Sequence, residues 1–177
     1  MNNSYAIEAD RLTKIYGSDN TEVVAMRDAT MKVKRGEVVA LLGPSGSGKS
    51  TFLTAVGLIN PPTAGKITIR GQLVLEGNDA RANLRSFRRR HIGFIFQKSN
   101  LIPFLSAVEN VQIALELNGD TARAARRRAL ELMDYLGVSD RADNLPSMLS
   151  GGQQQRGAVA RALANRPSVI LADEHTA

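Results

Sequence analysis

The chain is 177 residues long, with 23 lysines and arginines against 17 aspartates and glutamates and a net charge of +6. It has no cysteine, which excludes a disulfide frame, a thiolate zinc site and an iron–sulfur cluster. No apolar run nears the roughly 20 residues that span a bilayer, and Met1 to Asp10 lacks the apolar core of a signal peptide, so a soluble, cytoplasmic single domain is expected.

In chain order, Ile7 to Leu12 and Val23 to Val33 carry β-forming residues in loose alternation and predict short strands. Lys34-Arg35-Gly36-Glu37 reads as a turn into a buried strand over 38–42, Val-Val-Ala-Leu-Leu. A glycine-rich loop follows, and a helix is predicted over about 49–58. Pro61-Pro62-Thr63-Ala64-Gly65 is a break, after which Lys66 to Arg70 and Gln72 to Leu75 read as strands. Residues 81–90 look like a short basic helix, and Ile92 to Phe96 like a second buried strand. From about 98 to 165 the pattern is helical. Ala125, Ala129, Leu132, Met133 and Leu136 recur at helical spacing, with Gly137 as the stop, and Ala107, Val108, Val111, Ala114 and Leu115 form a shorter stripe. Pro167 closes this region before an apolar strand, Ser168 to Ala172.

The loop Gly43-Pro44-Ser45-Gly46-Ser47-Gly48-Lys49-Ser50 fits G-x-x-x-x-G-K-[ST] between a predicted strand and a predicted helix. That context makes it a phosphate cradle. Successive backbone N–H groups face inward, and the helix adds its N-terminal amides and positive dipole end. Lys49 supplies a mobile cation for β- and γ-phosphates, and the Ser50 hydroxyl offers a hard oxygen to Mg²⁺.

Leu149-Ser150-Gly151-Gly152-Gln153 opens a helical stretch, Gln154 to Ala164, with Ser150 and Gln153 at capping-box spacing. Two glycines there let a second phosphate approach a helix N-terminus. Asp173-Glu174 follows the last strand. Asp173 suits Mg²⁺ through water, and Glu174 suits deprotonation of an attacking water. Gln97 follows the strand 92–96 and carries little meaning alone; beside a metal or water it could sense either. Tyr16 could stack on adenine, or be an ordinary surface or core ring. The arginine cluster 123/126/127/128 has no interleaved aromatic and the cluster 85/88/89/90 only Phe87, which favours solvated faces over a nucleic-acid stacking platform.

Taken together, these residues resemble the nucleotide-binding domain of ATP-binding cassette (ABC) transporters along nearly the whole chain, and Leu149 to Gln153 is the most specific marker. The resemblance implies an α/β P-loop NTPase fold with a central, mainly parallel sheet, an N-terminal antiparallel β subdomain and a helical signature subdomain. Within one domain over 1–177, it implies a core of 1–97 and 166–177 and a helical part of 98–165. It implies that Tyr16, Gly43, Pro44, Ser45, Gly46, Ser47, Gly48, Lys49, Ser50 and Thr51 bind ATP, and that Ser150, Gly151, Gly152 and Gln153 close over the nucleotide of a second cassette. Glu174 would be the catalytic base, assisted by Lys49 and Gln97, with Ser50, Gln97 and Asp173 around Mg²⁺. Asn100-Leu101-Ile102-Pro103 resembles the region that meets the membrane subunits.

The implied partners are transmembrane permease subunits and a second ATP-binding subunit, most simply a homodimer. No direct nucleic-acid contact is expected, and the location is peripheral, at the cytoplasmic face of the membrane. The stretch from Phe96 to Val111 resembles the lipoprotein-release, macrolide-efflux and DevA-type exporters. Two departures from the family pattern stand out: His175 where the family has proline, and an end at Ala177 before the family's D-loop and switch-histidine strand. A C-terminally incomplete cassette with little turnover is therefore expected. The alternatives are a non-transport ABC ATPase acting on ribosomes or nucleic acid, and a non-catalytic truncated cassette.

Overall fold

A computed structural model describes residues 5–18 and 21–173. The chain divides into two compact units, residues 1–87 and 88–177.

The first unit is built on a five-stranded antiparallel sheet in the order β2-β1-β3-β4-β5. Its strands are β1 (Tyr5–Tyr16), β2 (Val23–Lys34), β3 (Ala64–Ile69), β4 (Gln72–Glu76) and the short β5 (Asp79–Ala80). The β1–β2 ladder shifts register between Ala9 and Leu12, and Arg11 and Asp28 adopt positive φ nearby. Side chains take up the backbone donors there: Arg11 N–H donates to Thr30 Oγ1 and Asp28 N–H to Thr13 Oγ1. Helix α1 (Lys49–Val56) packs against β1 and β2, and Phe52, Ala55 and Val56 are buried. Leu12, Ile67, Ile69, Val74 and Leu75 are almost wholly excluded from water.

The basic helix α2 (Leu84–His91) runs across the division between the units. In the second unit, β6 (Ile92–Ile95) and β7 (Val169–Ala172) form a parallel pair in the register Ile92↔Val169 to Ile95↔Ala172. Helices α3 (Ala107–Glu116), α4 (Ala122–Tyr135) and α5 (Gly151–Leu163) enclose a core of Val108, Val111, Ala125, Ala129, Met133 and Ala160. Both predicted helical stripes therefore face this core. α4 ends as the sequence predicts. Gly137 takes φ +66, its N–H donates to Asp134 O, and Val138 N–H donates to Met133 O, the double bond of a Schellman turn.

One expectation changes. The run 38–42 is not a strand: no described strand pairs with it, and Val38 is 97% and Leu42 89% exposed. A strand exists only through its ladder, and among the described strands β6 and β7 pair only with each other. Apolar composition alone does not supply the hydrogen-bonding neighbour.

Candidate functional site

In the first unit the glycine-rich loop ends at Gly48, which is the N-cap of α1 with φ +87 and ψ +8. A Cβ there would lie 2.7 Å from Ala25 O, so glycine is required both by the left-handed backbone and by the close approach to β2. No side chain caps α1 and its first turn carries no acid, so the positive end of the helix is not neutralised from within. The Lys49 ammonium turns back over the loop and donates to Gly43 O and Pro44 O, each at 2.7 Å, and to Ser47 Oγ at 3.3 Å. Gly43 to Ser47 are exposed. The result is a solvent-facing loop with one cation bonded to its carbonyls at the start of a helix. Thr51 lies in the first turn of the same helix. Tyr16 ends β1 with 42% of its surface exposed, and its hydroxyl accepts from Asn60 Nδ2.

The second unit brings together a separate group. Asp173 N–H donates to Ile95 O at 2.9 Å, which extends the β6–β7 ladder by one bond. Asp173 and Gln97 thereby emerge at the same carboxyl edge of the parallel pair, with Gln97 in an exposed bend. Glu174 and His175 lie outside the described residues.

Ser150 is the N-cap of α5, and the capping box read from the sequence is complete. Ser150 Oγ accepts from Gln153 N–H at 3.3 Å, and Gln153 Oε1 accepts from Ser150 N–H at 2.9 Å. Gly151 and Gly152 are exposed, and a Cβ on Gly151 would meet nothing within 4 Å.

Behind this helix end lies a network that sequence reasoning missed. Arg161 donates to Asn100 O at 2.8 Å and to Ser99 O at 3.0 Å. Burial pulls its pKa below the ordinary guanidinium value. Ser99 Oγ donates to Gln154 Oε1 at 3.2 Å, and Gln154 Nε2 donates to Pro146 O and Leu149 O. The backbone just after Gln97 is thus held by the helix that presents Ser150. Asn110, fully buried, accepts from Ile102 N–H and donates to the carbonyls of Ile102, Leu105 and Ser106. It shapes the 102–106 turn. The capping box Ser106/Glu109 at the head of α3 was readable from its S-x-x-E spacing; Asn110 and Arg161 had no local signal.

The family model described as "ABC transporter" matches residues 26–177. The chain belongs to the ABC transporter family. It is 44% identical to the lipoprotein-releasing system ATP-binding protein LolD of Maricaulis maris, over 97% of this chain and 74% of that one. It is also 44% identical to the macrolide export ATP-binding/permease protein MacB of Burkholderia pseudomallei, over 96% of this chain and 26% of that longer protein. Among solved structures it is similar to the ATP-binding cassette MJ0796, a dimer in a post-hydrolysis state bound to ADP and Pi. The TM-score is 0.85 at 41% identity, covering 94% of this chain and 73% of that one. The fold is accordingly that of an ABC cassette, and the chain is an ATP-binding, ATP-hydrolysing subunit type. Among the described residues, no helix of this ABC cassette is long and apolar enough to cross a membrane.

Proposed function

We propose that this chain powers an exporter: it binds ATP with Mg²⁺, pairs with a second cassette, most simply its own copy, and works on permease subunits at the cytoplasmic face of the membrane. The observation that carries the reading is the exposed Gly43–Ser47 loop with the Lys49 ammonium bonded to Gly43 O and Pro44 O over an uncapped helix N-terminus. The export direction rests on the likeness to LolD and MacB, and the pairing on the dimeric MJ0796 cassette.

The residues fit the nucleotide. Lys49 and the amides at the start of α1 would hold the phosphates, with Thr51 in the same turn and Tyr16 stacking on the base. A magnesium ion needs hard oxygens, and Ser50, Gln97 and Asp173 offer them. Among the described residues, no group of three or more His, Asp or Glu could hold a metal by itself. A magnesium ion bound with ATP would draw its remaining oxygens from phosphate and water. Glu174 takes the proton of the attacking water, and Gln97 orients that water. The open Gly151–Gly152 turn suits the γ-phosphate of ATP bound to the partner cassette. ATP supplies a phosphoryl group whose transfer is assisted by positioning and charge. The helical stretch 98–165 would act as one subdomain on a core of 1–97 and 166–177, with Asn100 to Pro103 facing the permease.

The test is ATP binding and turnover with Mg²⁺ for wild type, Lys49→Ala and Glu174→Gln. Lys49→Ala is expected to lose ATP binding, and Glu174→Gln to keep binding while turnover falls at least about 100-fold, as loss of a general base does. Undiminished turnover in Glu174→Gln sinks the base assignment. Co-purification with ribosomes and not with a membrane permease sinks the transport reading.

A further inference from the structure

Tyr16 is held more firmly than the end of a strand requires. Its hydroxyl accepts a hydrogen bond from Asn60 Nδ2 at 2.5 Å, across 44 residues of sequence. Lys14, two residues earlier and so on the same face of β1, sets its ammonium 5.2 Å from the ring centroid. The same ammonium donates to Pro61 O at 2.6 Å. Two further bonds stitch this segment to β1: Thr63 N–H donates to Thr13 O at 2.7 Å, and Ile15 N–H donates to Thr63 Oγ1 at 3.1 Å. Segment 60–63 therefore grips the strand end at several points, and two of them act on the ring.

The segment is itself fixed to α1. Leu58, 2% exposed, takes φ +56, a left-handed turn uncommon for leucine. Ile59 N–H and Asn60 N–H both donate to Thr54 O. The chain is thus turned back immediately after α1, and Asn60 is aimed at the phenol. The opposite end of that helix carries Lys49 and Ser50. One short rigid piece, residues 48–63, connects the phosphate-facing loop to the aromatic ring.

We propose that Asn60 and Lys14 are positioning residues of the adenine subsite. Asn60 fixes the edge of the Tyr16 ring, and Lys14 covers one face. The other face is left to a purine, at a distance from the phosphate loop set by α1. This rests on the reading of Tyr16 as the base platform. A ring free to rotate would lose conformational entropy on stacking; a ring already held does not.

The test titrates magnesium-ATP and magnesium-tripolyphosphate calorimetrically into wild type, Asn60→Ala, Tyr16→Phe, their double variant, Lys14→Met and Tyr16→Ala. Tripolyphosphate has the phosphates and no base, so a subsite residue changes only the ATP affinity. Asn60→Ala and Tyr16→Phe are each expected to weaken ATP by about 3- to 10-fold, the range for ordering one side chain on binding. The double variant should be no weaker than either single variant, and tripolyphosphate should stay within about twofold. Lys14→Met should weaken ATP alone as well. Tyr16→Phe removes the same bond without touching the 57–63 turn, so it decides the matter if Asn60→Ala misfolds. Equal losses for ATP and tripolyphosphate overturn the proposal, because the residues then act through the phosphate loop or the fold. If Tyr16→Ala weakens ATP while Asn60→Ala and Tyr16→Phe do not, the clamp is wrong and the platform stands. If Tyr16→Ala leaves ATP affinity unchanged, the platform reading fails, and the clamp with it.

Discussion

Single residues in this chain do two kinds of work, and the buried ones organise the loops that the exposed ones use. Asn110 satisfies four backbone groups of the 102–106 turn, and Arg161 two carbonyls just beyond Gln97. Neither role has a short-range signature. Asn110 reads in the sequence as a polar interruption of an apolar stripe, and its partners lie on a loop whose path no periodicity predicts. Glu109 is more local. Its carboxylate accepts from Ser106 N–H at 2.8 Å, and this backbone bond, followed by that with the Ser106 side chain, holds its pKa below the ordinary glutamate value. A carboxyl whose folded pKa is depressed stabilises the fold above its unfolded value and loses that contribution as pH falls through the lower, folded value. Glu109→Gln should therefore melt below wild type at neutral pH, with the gap closing as pH drops below about 4, the unfolded Glu range. Thermal melts of both proteins across pH 3 to 7 check the sign.

Elements are where local chemistry speaks most clearly. Ser150 with Gln153, and Gly137 behind α4, were legible because capping bonds close within three to five residues. Gly137 allows a clean measurement. A Cβ there would meet nothing within 4 Å, so substitution costs backbone strain and no packing. Gly137→Ala should lower stability by about 1 kcal/mol, the penalty of a left-handed L-residue, with unchanged nucleotide affinity. Urea denaturation with a constant slope reads the first, and calorimetry the second. The ion pairs on the basic faces call for no such accounting. Arg126 pairs with Asp143 and Arg127 with Glu131 in exposed positions where such pairs are worth little, and the half-buried Arg128 shares Glu131. Much of the charge in the second arginine cluster is thus met within its own surface, as a solvated face requires.

Across the whole molecule the feature with the largest consequence is the bare run 38–42. Val38 and Leu42 stand almost entirely in water beside the phosphate loop. Exposed apolar β-forming runs recruit other chains. The double variant Val38→Thr/Leu42→Thr should leave the melting temperature within about 2 °C, since little buried apolar area is lost. It should also reduce concentration-dependent light scattering and binding of a hydrophobic dye. A marked fall in melting temperature would show that these side chains are buried in solution.

The sequence by itself determined the sites whose chemistry is contiguous. Residues 43–51 and the Ser150 cap with its two glycines each depend on bonds between near neighbours, so residue order suffices to specify them. It also determined both helical core stripes, because burial periodicity follows from helix geometry alone. Only the tertiary structure decided that β6 pairs with β7, that 38–42 pairs with no described strand, that Arg161 grips the chain beyond Gln97, and that Asn60 fixes Tyr16. Each of these depends on two segments meeting across tens of residues. Such a meeting is set by how whole elements pack, not by any local preference of the residues that touch.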